Sequence, residues 1–294
     1  MLGLKIPRRF LRTLAGVTAG TLLSAPTLGA AATADPLPPA PFTYCPMHYQ
    51  APGEPPPQPG HGLRFCFASI GTGGTFKMGK VAVALTPGTV LQGGFWSSPD
   101  FHNSFVPADP PSKTLDSPGQ PVPGGLLGVA LIQNLIPGIT SVTAQVILAG
   151  PASSNFRNLI YAETPGITLP VVVKLINPLL GPDCSIGTPA HPMILNLTNG
   201  TTNPPPPALP ISGDRGSGTT MGIGSLYLGG VTVVDNTWGA PGATGCGALG
   251  LLNEAVNLQS GLPSAAGNNE ARLSSNVYLV DPHYVFADAP YPGF

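Results

Sequence analysis

The chain has 294 residues, 42% hydrophobic and only 9% charged, with a formal net charge of −1. That hydrophobic fraction excludes a disordered chain, and so few charges leave no electrostatic footprint for nucleic acid or anionic lipid. Glycine (39) and proline (38) are far above ordinary use and, with no collagen-like triplet, they punctuate turns and loops.

Lys5, Arg8, Arg9 and Arg12 form a basic start, followed by an uncharged, mostly apolar stretch over residues 13–23. Ala32, Thr33 and Ala34 then read as a small-x-small cleavage site. Residues 1–34 are thus expected to be a secretory signal peptide, its apolar part too short to span a membrane. The Arg pair resembles a twin-arginine signal but lacks the usual spacer residue. All 13 acidic residues and 8 of the 12 basic ones lie beyond this segment, which gives the remainder a charge of −5. No Cys stands at a lipobox position, since Cys45 follows Phe42, Thr43 and Tyr44, and residues 281–294 carry no apolar tail. The expectation is a protein secreted to the exterior or held non-covalently at the cell envelope, in an oxidising setting.

Residues 35–62 form a Pro-rich arm of extended coil. From Leu63 the pattern has period two: Leu63, Phe65, Phe67 and Ser69 on one face, Arg64, Cys66, Ala68 and Ile70 on the other. Residues 75–78 and 81–85 predict a hairpin turning at Gly79 and Lys80, and residues 89–92 a short strand ended by Gly93 and Gly94. Residues 95–125 read as a long loop, and residues 126–136 as a short helix before Pro137. Strands follow at 139–148, with Val142, Ala144, Val146 and Leu148 inward, and at 167–176, with Val171, Val173 and Leu175 on one face and Lys174 on the other. Shorter strands are predicted at 193–198 and at 226–228 and 231–234, the last two flanking a tight hairpin turn at Gly229 and Gly230. Residues 249–258 are the best helix candidate, ending before Gly261 and Pro263, and residues 271–280 alternate again.

About nine or ten strands between Gly/Pro loops predict a mainly β fold, an antiparallel sandwich or barrel with one or two short helices. A doubly wound α/β fold is disfavoured because strands do not alternate with long helices. The proline run ending at Pro207 reads as a rigid connection inside one β-rich domain over residues 63–287, with a tail at 288–294.

Four cysteines allow three pairings. Cys45–Cys66 and Cys184–Cys246 are favoured because each pair sits within one half of the chain. On the chain-entropy model such loops are worth roughly 3 and roughly 4 kcal/mol. Cys45, His48, His61 and Cys66 offer a tetrahedral zinc alternative of poor spacing, with a disulfide claiming both thiols in an exported chain. No metal or cofactor is expected.

Catalytic constellations are sparse. No G-x-S-x-G elbow occurs. Of five histidines (His48, His61, His102, His191, His283), His102 is the best candidate, with Trp96, Asp100 and Asn103 nearby in an expected loop. Residues 245–250 match G-x-G-x-x-G, but Pro241 and Gly242 precede them and Cys246 is expected to be bridged, so a tight turn into a helix is the favoured reading. The carboxylates form no glycosidase pair or calcium loop. Residues 117–156 are uncharged. Within them, residues 122–139 are strongly apolar but broken by Pro123 and Pro137, which suits core packing, or a lid over an apolar pocket with Leu126, Leu127, Leu131 and Ile132 as candidate ligand contacts.

Several phrases occur together: residues 174–181 with Cys184, Ser185, Ile186 and Gly187; residues 196–202 and the proline run; Val234, Asp235 and Asn236; Gly245, Cys246 and Gly247; and residues 261–267. In these the chain resembles an uncharacterised family of secreted β-rich proteins of actinobacteria, high-GC Gram-positive bacteria, over about residues 63–280. The resemblance implies export and a β-rich domain with two bridges, and carries over no catalytic residue. Two functions are weighed. One is a non-enzymatic structural or binding module, holding a lipid or other apolar small molecule or contacting an envelope component. The other is a secreted hydrolase with a loop-assembled site.

Overall fold

The alternating segments of the sequence pair into two antiparallel sheets. The computed structural model describes residues 42–50, 52–53, 62–98, 103–124, 141–220 and 224–286. The expected signal peptide, most of the Pro-rich arm, the expected helix at 126–136 and the tail at 288–294 lie outside the described residues. The first strands are β1 (Gly62–Met78), β2 (Val81–Leu85), β3 (Val90–Ser97), β4 (Asn103–Pro107), β5 (Leu115–Asp116), β6 (Gln120–Pro121), β7 (Thr143–Leu148) and β8 (Ser153–Ser154). After them come β9 (Ile167–Ile176), β10 (Ser185–Ile186), β11 (Met193–Leu197), β12 (Ser217–Thr220), β13 (Ser225–Asp235), β14 (Ala243–Thr244) and β15 (Glu270–Val280). Among the described residues there are also two short α-helices, α1 (Phe156–Tyr161) and α2 (Asn253–Ser260), and short 3-10 turns.

The first sheet runs β12-β13-β15-β1-β3-β4, with β2 added to β1 and β5 to β3. The second runs β14-β10-β9-β7-β6, with β11 and β8 also on β9. Neither closes into a barrel, and the layers are those of a sandwich. The inner face of the second sheet carries Leu169, Val171, Val173 and Leu175 of β9 and Met193, Leu195 and Leu197 of β11, all buried. Against them pack Phe67 and Phe76 of β1, Phe95 of β3 and Val231 and Val233 of β13. The inward set predicted for the 139–148 strand holds, although β7 starts only at Thr143: Val142 just before it is buried, and Ala144, Val146 and Leu148 pack on the same core.

The first sheet is covered on its outer face as well. Cys66, Ala68 and Val280 point there and pack with Phe42 and Cys45 of the arm and with Tyr278. The Cys45–Cys66 disulfide fastens the arm across this face. Cys184–Cys246 ties the segment before β10 to the turn before α2. Both bridges are the favoured pairing, and no free cysteine remains, so the zinc alternative has no thiol to use.

Five local expectations need correction. Leu63 and Phe65 do not share a face, because a register shift between them turns Leu63 to the outer cluster and Phe65 to the inner core. Gly93 and Gly94 do not end a strand; β3 continues through them to Ser97. They are glycines because a Cβ at Gly93 would lie 2.3 Å from Val106 O, and one at Gly94 2.6 Å from Leu63 Cδ1. Gly229 and Gly230 make no hairpin: β13 runs on through them, and Gly230 (φ +70°) absorbs a bulge opposite β15. The loop expected over residues 95–125 contains the end of β3 and also β4, β5 and β6. The helix expected from Leu249 starts only at Asn253, because Gly247, Leu249 and Gly250 all take positive φ in the turn that follows Cys246.

Candidate functional site

The register of the first sheet makes a hollow. Across its inner face Leu226, Leu279, Phe67 and Gly93 form one row, and Leu228, Val277, Ser69 and Leu91 the next. The third row is Val231, Ser275 and Gly71. Two serines and a glycine thus stand where neighbouring rows carry leucine or phenylalanine. Side chains from the facing sheet do not reach into the gap, and a cavity of about 300 Å³ remains. Ile167 of β9, Leu159 of α1 and Asn199 form its opposite wall, and Arg215 and Gly216, both exposed, stand at its mouth.

The mouth is built around the C-terminal end of α1. Asn155 caps the start of that helix, accepting from Asn158 N at 3.2 Å. At the other end Ala162 turns left-handed (φ 58°), and Gly200 is pressed so close that a Cβ would lie 2.1 Å from Ala162 O. Two carbonyls of the last turn are capped by side chains: Asn199 Nδ2 donates to Leu159 O at 2.8 Å, and Arg215 Nη2 donates to Tyr161 O at 2.8 Å. Asn199 is 7% exposed, and its Oδ1 has no hydrogen-bond partner among the described residues. An orphaned carboxamide oxygen in an apolar wall is a local cost to stability.

No family model, curated protein or solved structure matches this chain.

The candidate ligand contacts Leu126, Leu127, Leu131 and Ile132 lie outside the described residues. Beside Val122, where that segment begins, the hollow measures only about 40 Å³, lined by Val142, Leu175, Leu180 and Val256. That is room for about one water. The larger cavity opens at the other end of β1, among residues that periodicity alone assigns to core. An open groove of about 640 Å³ on the outer face of the second sheet is lined by polar side chains such as Thr143, Gln145 and Lys174.

The catalytic candidates do not assemble among the described residues. His48 and His191 are exposed, and neither they nor His283 line the three hollows. His61, Asp100 and His102 lie outside the described residues, while Trp96 is buried in β3 and meets Tyr49 edge-on at 5.6 Å. In the G-x-G-x-x-G stretch, Gly245 (φ +69°) would put a Cβ 2.5 Å from Asp183 O, and Cys246 is bridged. This is the tight turn into a helix.

Asp235, given no chemical role in the sequence beyond the resemblance, is a fully buried carboxylate. Burial pushes its carboxyl above the usual range, and hydrogen bonds from Thr237 and Asn196 oppose that shift. Oδ2 accepts from Asn196 N at 2.6 Å, and Oδ1 accepts from Thr237 N and Oγ1 at 2.8 and 2.7 Å. Its neighbour Asn236 accepts from Thr202 Oγ1 and donates to Leu209 O. The segments around Asn196–Thr202 and Val234–Asn236 are therefore one polar network that fixes loops between the sheets.

Proposed function

We propose that this is an exported, non-enzymatic binding protein that works outside the cell or at its envelope, with one apolar molecule held between its sheets. The observation that carries the reading is the cavity of about 300 Å³ walled by Phe67, Phe95, Leu226, Leu228, Val277 and Leu279. This is the lower end of the size range of ligand sites, and mostly apolar walls with a few placed polar groups are their usual composition. Supporting it are the two disulfides, which suit an oxidising compartment, and the absence of a helix among the described residues long and apolar enough to cross a membrane. The signal-like first 34 residues and the resemblance to secreted actinobacterial proteins point the same way.

Native mass spectrometry and organic extraction of protein purified from its own culture medium test this. One apolar molecule per chain is expected. Protein recovered only from the cytoplasm, or wholly empty and indifferent to added apolar compounds, contradicts the reading.

A further inference from the structure

The mouth of the cavity narrows the ligand's chemistry, on the reading that the cavity is a binding site. Two arginines meet at Tyr161 there. Arg215 donates to its carbonyl, and the Arg157 guanidinium lies 5.7 Å from its ring centroid. A guanidinium has five N–H donors, and the single bond to Tyr161 O leaves the others of Arg215 without a partner among the described residues. Neither arginine has an ion pair among the described residues, where the one that forms is Arg272 with Glu270. Asp214, beside Arg215 in the chain, turns its Oδ1 to Gly216 N at 2.8 Å. An uncompensated, exposed cation thus sits on the rim of an apolar hole.

Volume sets the other limit. At about 30 Å³ for each water-sized group, 300 Å³ takes about ten chain atoms. That suits one medium-length chain.

We infer that the ligand is a single-chain anionic amphiphile, a medium-chain carboxylate whose head pairs with Arg215 while its chain passes Ser69 and Ser275 toward Phe67 and Phe95. Arginine suits this head because its planar fork matches a carboxylate bidentately.

The test is isothermal titration of the exported chain with decanoate and with 1-decanol at neutral pH, on the wild type and on Arg215→Gln. Arg215 is exposed, so the substitution leaves the core intact. Decanoate affinity is expected to fall about fivefold in the variant, the upper end for an exposed ion pair. Decanol affinity should not move. Affinity should rise about fourfold per methylene up to decanoate and then level off as the cavity fills. If Arg215→Gln weakens both probes alike, or neither, the anionic head is wrong and the cavity reading stands. If neither probe binds the wild type, both readings fall.

Discussion

The two ends of the sandwich are built from the same layers and differ in what fills them. At one end Phe76 stacks on Trp238 at 5.2 Å, and Cys184–Cys246 is wholly buried beside Leu180 and Ile186. Asn269, almost fully buried, accepts from Gly79 N and donates to the carbonyls of Trp238 and Ala265, so the polar groups there are satisfied. At the other end Ser69, Gly71 and Ser275 leave a void, and Asn199 Oδ1 has no partner among the described residues. Close packing and complete hydrogen bonding are the rule in protein interiors. At this end both rules are relaxed in one place, as the proposed binding role would require.

The largest loss is expected at the packed end. Replacing Cys184 and Cys246 together by serine opens a bridge spanning 62 residues, for which the chain-entropy model gives a loss of about 4 kcal/mol. The denaturant midpoint should fall accordingly. Losing Cys45–Cys66, which spans 21, should cost about 3 kcal/mol and loosen the arm over the outer face.

Single truncations should separate the two ends. Leu195→Ala removes a fully buried side chain at close packing and should cost about 3 kcal/mol. Leu228→Ala trims a cavity wall whose side chain already lacks neighbours on one side, so about 1 kcal/mol is expected. Equal losses in urea titrations would mean that the hollow end is filled in solution.

Asp235→Asn should cost about 2 kcal/mol at neutral pH, because the new NH₂ meets an N–H or O–H donor instead of an acceptor. Its pH dependence has a definite sign. Burial raises the folded carboxyl above its unfolded value of 3.8, so ionisation opposes folding above the folded value. As pH falls through the folded value toward 3.8, the native state gains from binding the proton. The advantage of wild type over Asp235→Asn should therefore widen between pH 7 and pH 4, read from unfolding free energies of both.

Much of this architecture is legible in the sequence. Period-two runs locate β9, β11 and β15 within a residue or two because alternate residues of each pack into the core, as Leu169, Val171, Val173 and Leu175 of β9 do. The disulfide pairing follows from position along the chain. The Gly pairs are where the reading fails. Gly93 and Gly94 serve close approach of neighbouring groups, and Gly229 and Gly230 serve a bulge, purposes that depend on what lies across the sheet. The cavity was hidden for a related reason. Ser69 and Ser275 look like ordinary strand serines until the register places them diagonally on one inner face, next to Gly71. The one visible signal was the run of small residues interrupting β1 after Phe67. Arg215 carried no signal, since its role depends on the end of α1, more than 50 residues earlier.

The most direct test of the central claim fills the hole. Ser69→Leu combined with Ser275→Leu adds apolar bulk to the cavity and should raise stability by about 1 kcal/mol, as cavity-filling changes commonly do. Thermal unfolding with and without saturating decanoate then decides the matter. Wild type should melt higher with ligand, by mass action on the native state, and the filled variant should not respond. A filled variant that keeps the full ligand-induced rise in Tm would show that the ligand binds elsewhere, and would contradict the account.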